Sequence, residues 1–140
     1  KRHGEGQYDV EDLNYRTDRI LAFLSEAAEK YEFDLSKAVP VGFSNGSNIA
    51  ISMMLRENTT FKKALLYAPL YPIEITTNKD FSDAQILLSM GENDPIVPLA
   101  ESKRVIDIFS SRGADVTTVW VNSHELTQSG VVAGQEVLNN

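Results

Sequence analysis

The stretch that decides the fold covers residues 39–50, VPVGFSNGSNIA, in which Ser44 stands between Gly42 and Gly46. A serine flanked in this way is typical of a sharp turn from a strand into a helix, where the side chain is exposed as a nucleophile. Such a turn strains the serine backbone, and small flanking residues let strand and helix approach each other. The alternative is an ordinary glycine-rich loop that happens to contain a serine.

The residues on either side favour the turn. Residues 37–42, KAVPVG, are short and apolar and predict a buried strand, although Pro40 argues against a central place in a sheet. Residues 45–57 predict a helix. A strand before the serine and a helix after it are the context that this motif requires.

The rest of the chain continues the alternation of helices and strands. Apolar residues at helical spacing predict a first helix from Tyr8 to Tyr31 with Asp9 as its N-cap, and Gly113 is expected to end a later helix. The further predicted elements are strands over 64–68, 85–90 and 115–121 and helices over 99–111 and 128–138. This order predicts an α/β fold, a mostly parallel sheet covered by helices, within a single domain over residues 1–140.

Composition excludes several classes of function. The 140 residues carry a formal net charge of -7, which argues against binding to nucleic acid or to an anionic membrane surface. There is no cysteine, so a disulfide scaffold and a cysteine nucleophile are excluded. His3 and His124 are the only histidines, and we expect no metal and no cofactor. No apolar run could span a bilayer and no signal peptide is recognisable, so we predict a cytoplasmic protein.

A serine nucleophile needs a base, and His124 is the candidate. It follows the predicted strand DVTTVWV, at the carboxyl end where parallel sheets carry their sites. The alternative is a solvated loop histidine. The orienting acid is predicted to be Asp94 in SMGENDPIVP, with Glu92 as the substitute, although an Asn-Asp-Pro turn can hold an aspartate for structural reasons alone. The chain order of serine, acid and histidine is that of α/β-hydrolases.

Three segments, GFSNGSNIA, GENDPIVP and SHELT, carry a resemblance that covers nearly the whole chain. They resemble the phospholipase/carboxylesterase branch of the α/β-hydrolase superfamily, and most of all its bacterial carboxylesterases related to acyl-protein thioesterases. The resemblance implies a three-layer α/β-hydrolase fold. It also implies a nucleophile at Ser44, a general base at His124, an orienting carboxylate at Asp94 and an oxyanion donor in the backbone N–H of Asn45.

The family carries first strands and a His-Gly-x-Gly-type loop that nothing in this chain matches. Gly4 and Gly6 in RHGEG echo that loop, but no strand precedes them. We therefore expect the chain to be the carboxyl-terminal part of the domain, without the second oxyanion donor, whose loss costs roughly a hundred- to a thousandfold in turnover. The chain alone is expected to be a weak or inactive esterase, and to form homo-oligomers or other associations through an exposed sheet edge.

The substrate is expected to be a small-molecule ester or thioester held by loops beside the triad. Apolar residues on these loops suit an acyl chain or an aromatic ester, with ordinary packing as the alternative for each, above all for Phe43 and Val97. The candidates are Phe43, Leu70, Tyr71, Ile96, Val97 and Leu126.

The sequence leaves three functions open. The leading one is a serine carboxylesterase, thioesterase or lysophospholipase-like hydrolase. A dienelactone-type hydrolase is the second, although such enzymes usually place cysteine where Ser44 stands. The third is a non-catalytic α/β-hydrolase fragment that acts as a structural or interaction domain and keeps the triad as an inheritance.

Overall fold

The computed structural model describes residues 10–56, 59–71, 73, 75 and 77–139. The predictions for Tyr8, for Asp9 as a cap and for the RHGEG segment lie outside these residues. Within the described ranges, four helices and four strands follow one another in the predicted order, with one added short 3-10 helix. They are α1 Val10–Tyr31, the 3-10 helix Leu35–Lys37, β1 Val41–Phe43, α2 Asn45–Leu55, β2 Lys63–Tyr67, β3 Gln85–Gly91, α3 Leu99–Ser110, β4 Asp115–Val121 and α4 Gln128–Asn139.

The largest error of the sequence prediction lies before the serine motif. The strand expected over 37–42 is shorter and later, because Asp34 caps a 3-10 helix and accepts a hydrogen bond from the Ser36 N–H at 3.0 Å. The sheet pairing begins only where the Pro40 carbonyl accepts the Leu65 N–H. The prediction for Gly113 is confirmed, since this residue follows α3 with φ at 92°.

The four strands form one parallel sheet in the order β1-β2-β3-β4. Phe43 at the end of β1 is paired with Tyr67 of β2, and Gly91 of β3 is paired with Val121 of β4. All four strands end at the same edge of the sheet, so the residues that follow them share one rim. This register brings the three predicted site segments to that rim.

Side chains of the central strands alternate between two cores, as a sheet buried on both faces requires. In β2, Leu66 packs in the larger core with residues of α1, α2 and α3, while Leu65 packs in a smaller core with Val137 of α4. In β3, Leu88 faces the larger core and Leu87 the smaller one. Helices therefore cover both faces, and the predicted three-layer α/β architecture is confirmed.

The edge strand β1 is less covered than the central strands. Within the described residues it is paired on one side only, and its Val41 and Phe43 are 61% and 40% exposed. No helix among the residues described is both long enough and apolar enough to cross a bilayer.

Candidate active site

Ser44 lies at the junction of β1 and α2. Its backbone conformation, with φ 55° and ψ −117°, is one that residues other than glycine rarely adopt. Its N–H donates to the Tyr67 carbonyl at 2.7 Å, which ties the turn to the neighbouring strand. The prediction of a strained strand-to-helix turn is confirmed. The two flanking glycines differ, however: a Cβ on Gly42 would meet the Ser47 nitrogen at 2.5 Å, whereas a Cβ on Gly46 would meet no described atom within 4 Å outside its own helical turn.

Only Gly42 therefore serves the close approach of strand and helix that was expected of both glycines. The expectation for Gly46 is wrong, because the backbone of Gly46 is what crowds Gly42, while its own Cβ position opens outward.

The loops that follow β3 and β4 are joined by a continuation of the sheet pairing. The Glu92 N–H donates to the Val121 carbonyl and the Asn93 N–H to the Asn122 carbonyl, both at 2.8 Å. The two asparagine side chains are also paired, with Asn93 Nδ2 3.1 Å from Asn122 Oδ1. The loops are thus held side by side up to the residues that precede the candidate acid and base.

Three side chains from these separate loops meet at the rim. His124 Nε2 lies 2.9 Å from Ser44 Oγ, and His124 Nδ1 lies 2.7 Å from Asp94 Oδ2. Both distances are within hydrogen-bond reach, which is the geometry required of a nucleophile, base and orienting acid. The histidine side chain is 14% exposed and that of Asp94 only 1%. The histidine is therefore partly accessible to solvent, while the carboxylate that it contacts is buried.

The other oxygen of Asp94 is held by the chain that follows it. Asp94 Oδ1 accepts the N–H groups of Ile96 at 2.7 Å and of Val97 at 3.0 Å. Burial by itself raises the pKa of Asp94, but the hydrogen bonds from His124, Ile96 and Val97 outweigh it, and the pKa lies below its ordinary value. The group is therefore ionised at neutral pH and oriented from both sides, while the alternative acid Glu92 is exposed.

This lowered pKa predicts how stability depends on pH. A group whose pKa is lower in the folded than in the unfolded chain stabilises the fold above its unfolded value, which is 3.8 here. The free energy of unfolding of the wild type relative to Asp94→Asn should therefore fall as the pH drops below about 4. Urea titrations of both proteins between about pH 3 and pH 5 measure this difference, and a difference that grows below about pH 4 contradicts the prediction.

Gly91, the last residue of β3, is a site residue that the sequence analysis missed. A Cβ at this position would lie 2.7 Å from the carbonyl carbon of Ser123 and 3.1 Å from Cβ of Asp94, and it would overlap the Ser123 carbonyl oxygen. The bare backbone of Gly91 therefore lets the acid loop and the histidine loop close on each other. The signal that could have revealed it is a glycine at the end of a strand, three residues before the acid.

Gly91→Ala is expected to push the two loops apart and to lower kcat/KM for an ester by about 100-fold, the cost of roughly 1 Å of misplacement. The fold should persist, since the collision is local to the rim. Steady-state kinetics with a chromogenic ester and far-ultraviolet circular dichroism measure both. Gly46→Ala is the matched control, because its added methyl group would meet no atom of the described residues within 4 Å outside its own helical turn. Equal activity of the two variants would contradict the role of Gly91.

Two further side chains lie in or against the segment that carries the histidine. The ring of Phe43 packs against the imidazole of His124 with centroids 5.1 Å apart and an interplanar angle of 63°. Within the same turn, Glu125 Oε2 accepts the N–H of Ser123 at 2.9 Å, which closes the turn that carries the histidine. From the sequence, Phe43 is predicted only as a pocket residue, and no role is predicted for Glu125.

Of the six predicted pocket residues, Phe43 packs against His124, and the other five fall into two groups. Ile96 and Leu126 are each 51% exposed and Leu70 is partly exposed, so these three present apolar surface at loops beside the triad. Tyr71 and Val97 are 5% and 3% exposed and pack inside the protein. Ile96, Leu126 and Leu70 therefore carry the apolar surface that a substrate could contact. Within the described residues no group of three or more His, Asp or Glu is placed to hold a metal ion.

A parallel sheet with helices on both faces, and a serine turn whose side chain meets a histidine and a carboxylate at the rim, define an α/β-hydrolase. Comparison with known proteins assigns the chain to one family within this class. The model of the Phospholipase/Carboxylesterase family matches residues 7–139. The chain belongs to this family.

Individual proteins agree with the family match. The MhqD protein of Bacillus subtilis (strain 168) is 33% identical over 129 residues, which are 91% of this chain and 64% of that protein. The crystal structure of the Bacillus cereus carboxylesterase is similar with a TM-score of 0.91 and 35% identity, covering 99% of this chain and 66% of that one. A carboxylesterase from Mesorhizobium loti shares the fold with a TM-score of 0.85 at 21% identity, over 100% of this chain and 68% of that one.

The chain thus spans about two thirds of the length of these relatives. For the first two, the share is slightly below two thirds, at 64% and 66%.

Proposed function

We propose that the protein is a serine hydrolase that cleaves carboxylic esters or thioesters through an acyl-enzyme. The observation that carries the proposal is the continuous hydrogen-bonded series from Ser44 Oγ through the His124 ring to Asp94, at 2.9 and 2.7 Å. A serine hydroxyl is a poor nucleophile by itself, and a base within reach whose own position is fixed by a carboxylate is what activates it.

The reaction would proceed in two halves. Ser44 Oγ attacks the carbonyl carbon while its proton passes to His124 Nε2, and the imidazolium is stabilised by Asp94. Collapse of the tetrahedral intermediate breaks the bond to the alcohol or thiol, which leaves with the proton from Nε2. Water then attacks the acyl-enzyme with His124 again as base, and the carboxylic acid and free Ser44 are formed.

Asn45 is proposed to stabilise the oxyanion through its backbone N–H. It is the residue after the nucleophile and the first of α2, where the amides of a helix are directed at its N-terminal end and the helix dipole favours negative charge. The motif assigns this one donor. We propose that residues 1–140 form a single domain. We also propose that the second oxyanion donor lies on a segment outside the chain, and the greater length of the relatives supports this.

The substrate is proposed to be a small-molecule ester whose acyl or aromatic group lies on Leu70, Ile96 and Leu126, with Tyr71 and Val97 supporting them from inside. The support is the exposed apolar surface on loops at the same rim as the triad. A cytoplasmic location stays a prediction from the sequence.

A fluorophosphonate probe tests the proposal, because it reacts only with an activated serine in a folded site. The expected result is one equivalent of label on the full-length protein and none on Ser44→Ala or on heat-unfolded protein. Absence of label on the folded wild type would favour the non-catalytic interpretation. Labelling together with turnover of a dienelactone but of no simple ester would favour a dienelactone-type hydrolase.

Association through the edge of the sheet is a separate proposal. It is supported by the exposed Val41 and Phe43 on β1, since an edge strand with apolar side chains can pair with another chain. Val41→Lys is expected to shift the sedimentation coefficient of the 140-residue chain toward that of a monomer. The exposed Thr118 on the opposite edge strand β4 provides the control, Thr118→Lys. A wild-type chain that is monomeric at high concentration contradicts the proposal.

A further inference from the structure

Asn48 is a buried polar residue in the first turn of α2, one helical turn after Ser44. It is 4% exposed, and its Oδ1 accepts the backbone N–H of Leu70 at 2.8 Å. Buried side-chain amides are retained where they satisfy a specific partner, and here the partner lies 22 residues further along the chain. The helix that begins at the nucleophile is therefore bonded to the loop after β2.

That loop begins with a strained turn. Ala68 has φ at 53°, a region that residues with a Cβ rarely enter, and the residue after it is a proline. The Ala68 N–H donates to the Ser89 carbonyl at 2.7 Å, and Pro69 has no N–H to donate. Leu70 is therefore the first residue after the turn whose amide can anchor it, and that amide is bonded to Asn48. Strained backbone persists only when surrounding contacts hold it.

The turn lies directly beside the nucleophile. Phe43 is paired with Tyr67 in the sheet, and the Ser44 N–H donates to the Tyr67 carbonyl, so the residue after Tyr67 begins the turn at the position of Ser44. Pro69 is fully buried and Tyr71 is 5% exposed, whereas Leu70 between them is partly exposed. Leu70 is therefore the side chain that this turn presents at the rim.

We propose that Asn48 is a positioning residue that fixes the turn over residues 68–70 beside Ser44 and thereby sets, through Leu70, the preference for longer acyl chains. The inference rests on the proposed ester hydrolysis. Asn48 touches no reacting atom. It acts by holding the Leu70 amide, so that the apolar side chain stays where an acyl group extends away from the nucleophile.

The test is the ratio of kcat/KM for p-nitrophenyl octanoate to that for p-nitrophenyl acetate, measured on the full-length protein. Asn48→Leu keeps the branched shape of the side chain but has no acceptor, and the ratio is expected to fall about three- to tenfold, the effect of one hydrogen bond. Asn48→Asp keeps an acceptor in place and should keep the ratio within about twofold of the wild type. In a Leu70→Ala background, Asn48→Leu should change the ratio by less than about twofold, because the side chain that it positions is gone.

A merely structural role of Asn48 would lower both rates together and leave the ratio unchanged. An unchanged ratio in an Asn48→Leu protein that the fluorophosphonate still labels overturns the inference and leaves the proposed function standing. Additive effects of the two substitutions overturn it as well. Absence of labelling in the wild type overturns the proposed function and this inference with it.

If Asn48→Leu does not fold, replacing the Leu70 backbone amide by an ester removes the donor of the same bond and leaves every side chain in place. The same three- to tenfold fall in the ratio is expected, at the size of one lost hydrogen bond. A ratio equal to that of the wild type overturns the inference.

Discussion

The Ser44→Ala variant is expected to lose ester hydrolysis almost completely, with kcat lower by about six orders of magnitude where the wild type is fully active. The physical reason is that the hydroxyl supplies the attacking atom. Among the hydrogen bonds of the described residues, Ser44 Oγ is the hydroxyl oxygen that contacts the His124 ring. What remains is the rate given by substrate binding and oxyanion stabilisation alone. Steady-state assays with a chromogenic ester measure the change, and binding of a non-hydrolysable analogue should persist.

Ser110→Ala is the matched control for this change. Ser110 is exposed at the last residue of α3, and because α3 crosses back over the sheet, its end lies at the opposite rim from the strands' carboxyl ends. Its removal should leave the kinetics unaltered. Retention of more than about one per cent of the wild-type rate in Ser44→Ala would show that another nucleophile operates.

The Asp94→Asn variant is expected to lower kcat by about 10,000-fold with little change in fold. The N–H groups of Ile96 and Val97 both donate to Oδ1, so the asparagine oxygen is held there and its NH₂ group faces His124 Nδ1. The imidazole must then accept at Nδ1 and carry its proton on Nε2. In that tautomer it cannot take the proton of Ser44.

The kinetic measurement for Asp94→Asn is the pH profile of kcat together with its magnitude. Activity should rise at high pH, where hydroxide replaces the lost base. Asp83→Asn serves as control, because Asp83 is exposed in the loop before β3, at the amino end of the strands. A variant that keeps wild-type kcat at neutral pH would mean that Asp94 does not orient the histidine, and would direct attention to Glu92.

The order of elements and the three-layer fold could be predicted from the sequence because the apolar runs of β2 and β3 are continuous and bounded by turn residues. The prediction failed before β1, where two local signals compete. Apolar residues around Pro40 favour a strand, but the Asp34 cap draws the preceding residues into a 3-10 helix. A capping hydrogen bond of this kind depends on one side chain, and a pattern of hydrophobicity does not register it.

The meeting of Ser44, Asp94 and His124 was predictable in outline because parallel strands carry their carboxyl ends to one rim. Gly91 and Asn48 were not predicted, since their roles follow from what lies opposite them. Gly91 faces the backbone of Ser123, 32 residues later, and Asn48 faces the amide of Leu70. The sequence around Gly91 or Asn48 does not indicate which residue its partner is. The identity of such neighbours is set by strand register, which only the folded chain fixes.

The most direct test of the proposed hydrolase mechanism is to observe the acyl-enzyme itself. Full-length protein is mixed with p-nitrophenyl trimethylacetate, whose bulky acyl group slows the second half of the reaction, and is quenched in acid within the first turnover. If Ser44 is the nucleophile, we expect a burst of one equivalent of p-nitrophenol and a protein heavier by one trimethylacetyl group, carried by the peptide that contains Ser44. Turnover without a burst and without this adduct, or an adduct on another residue, would contradict it.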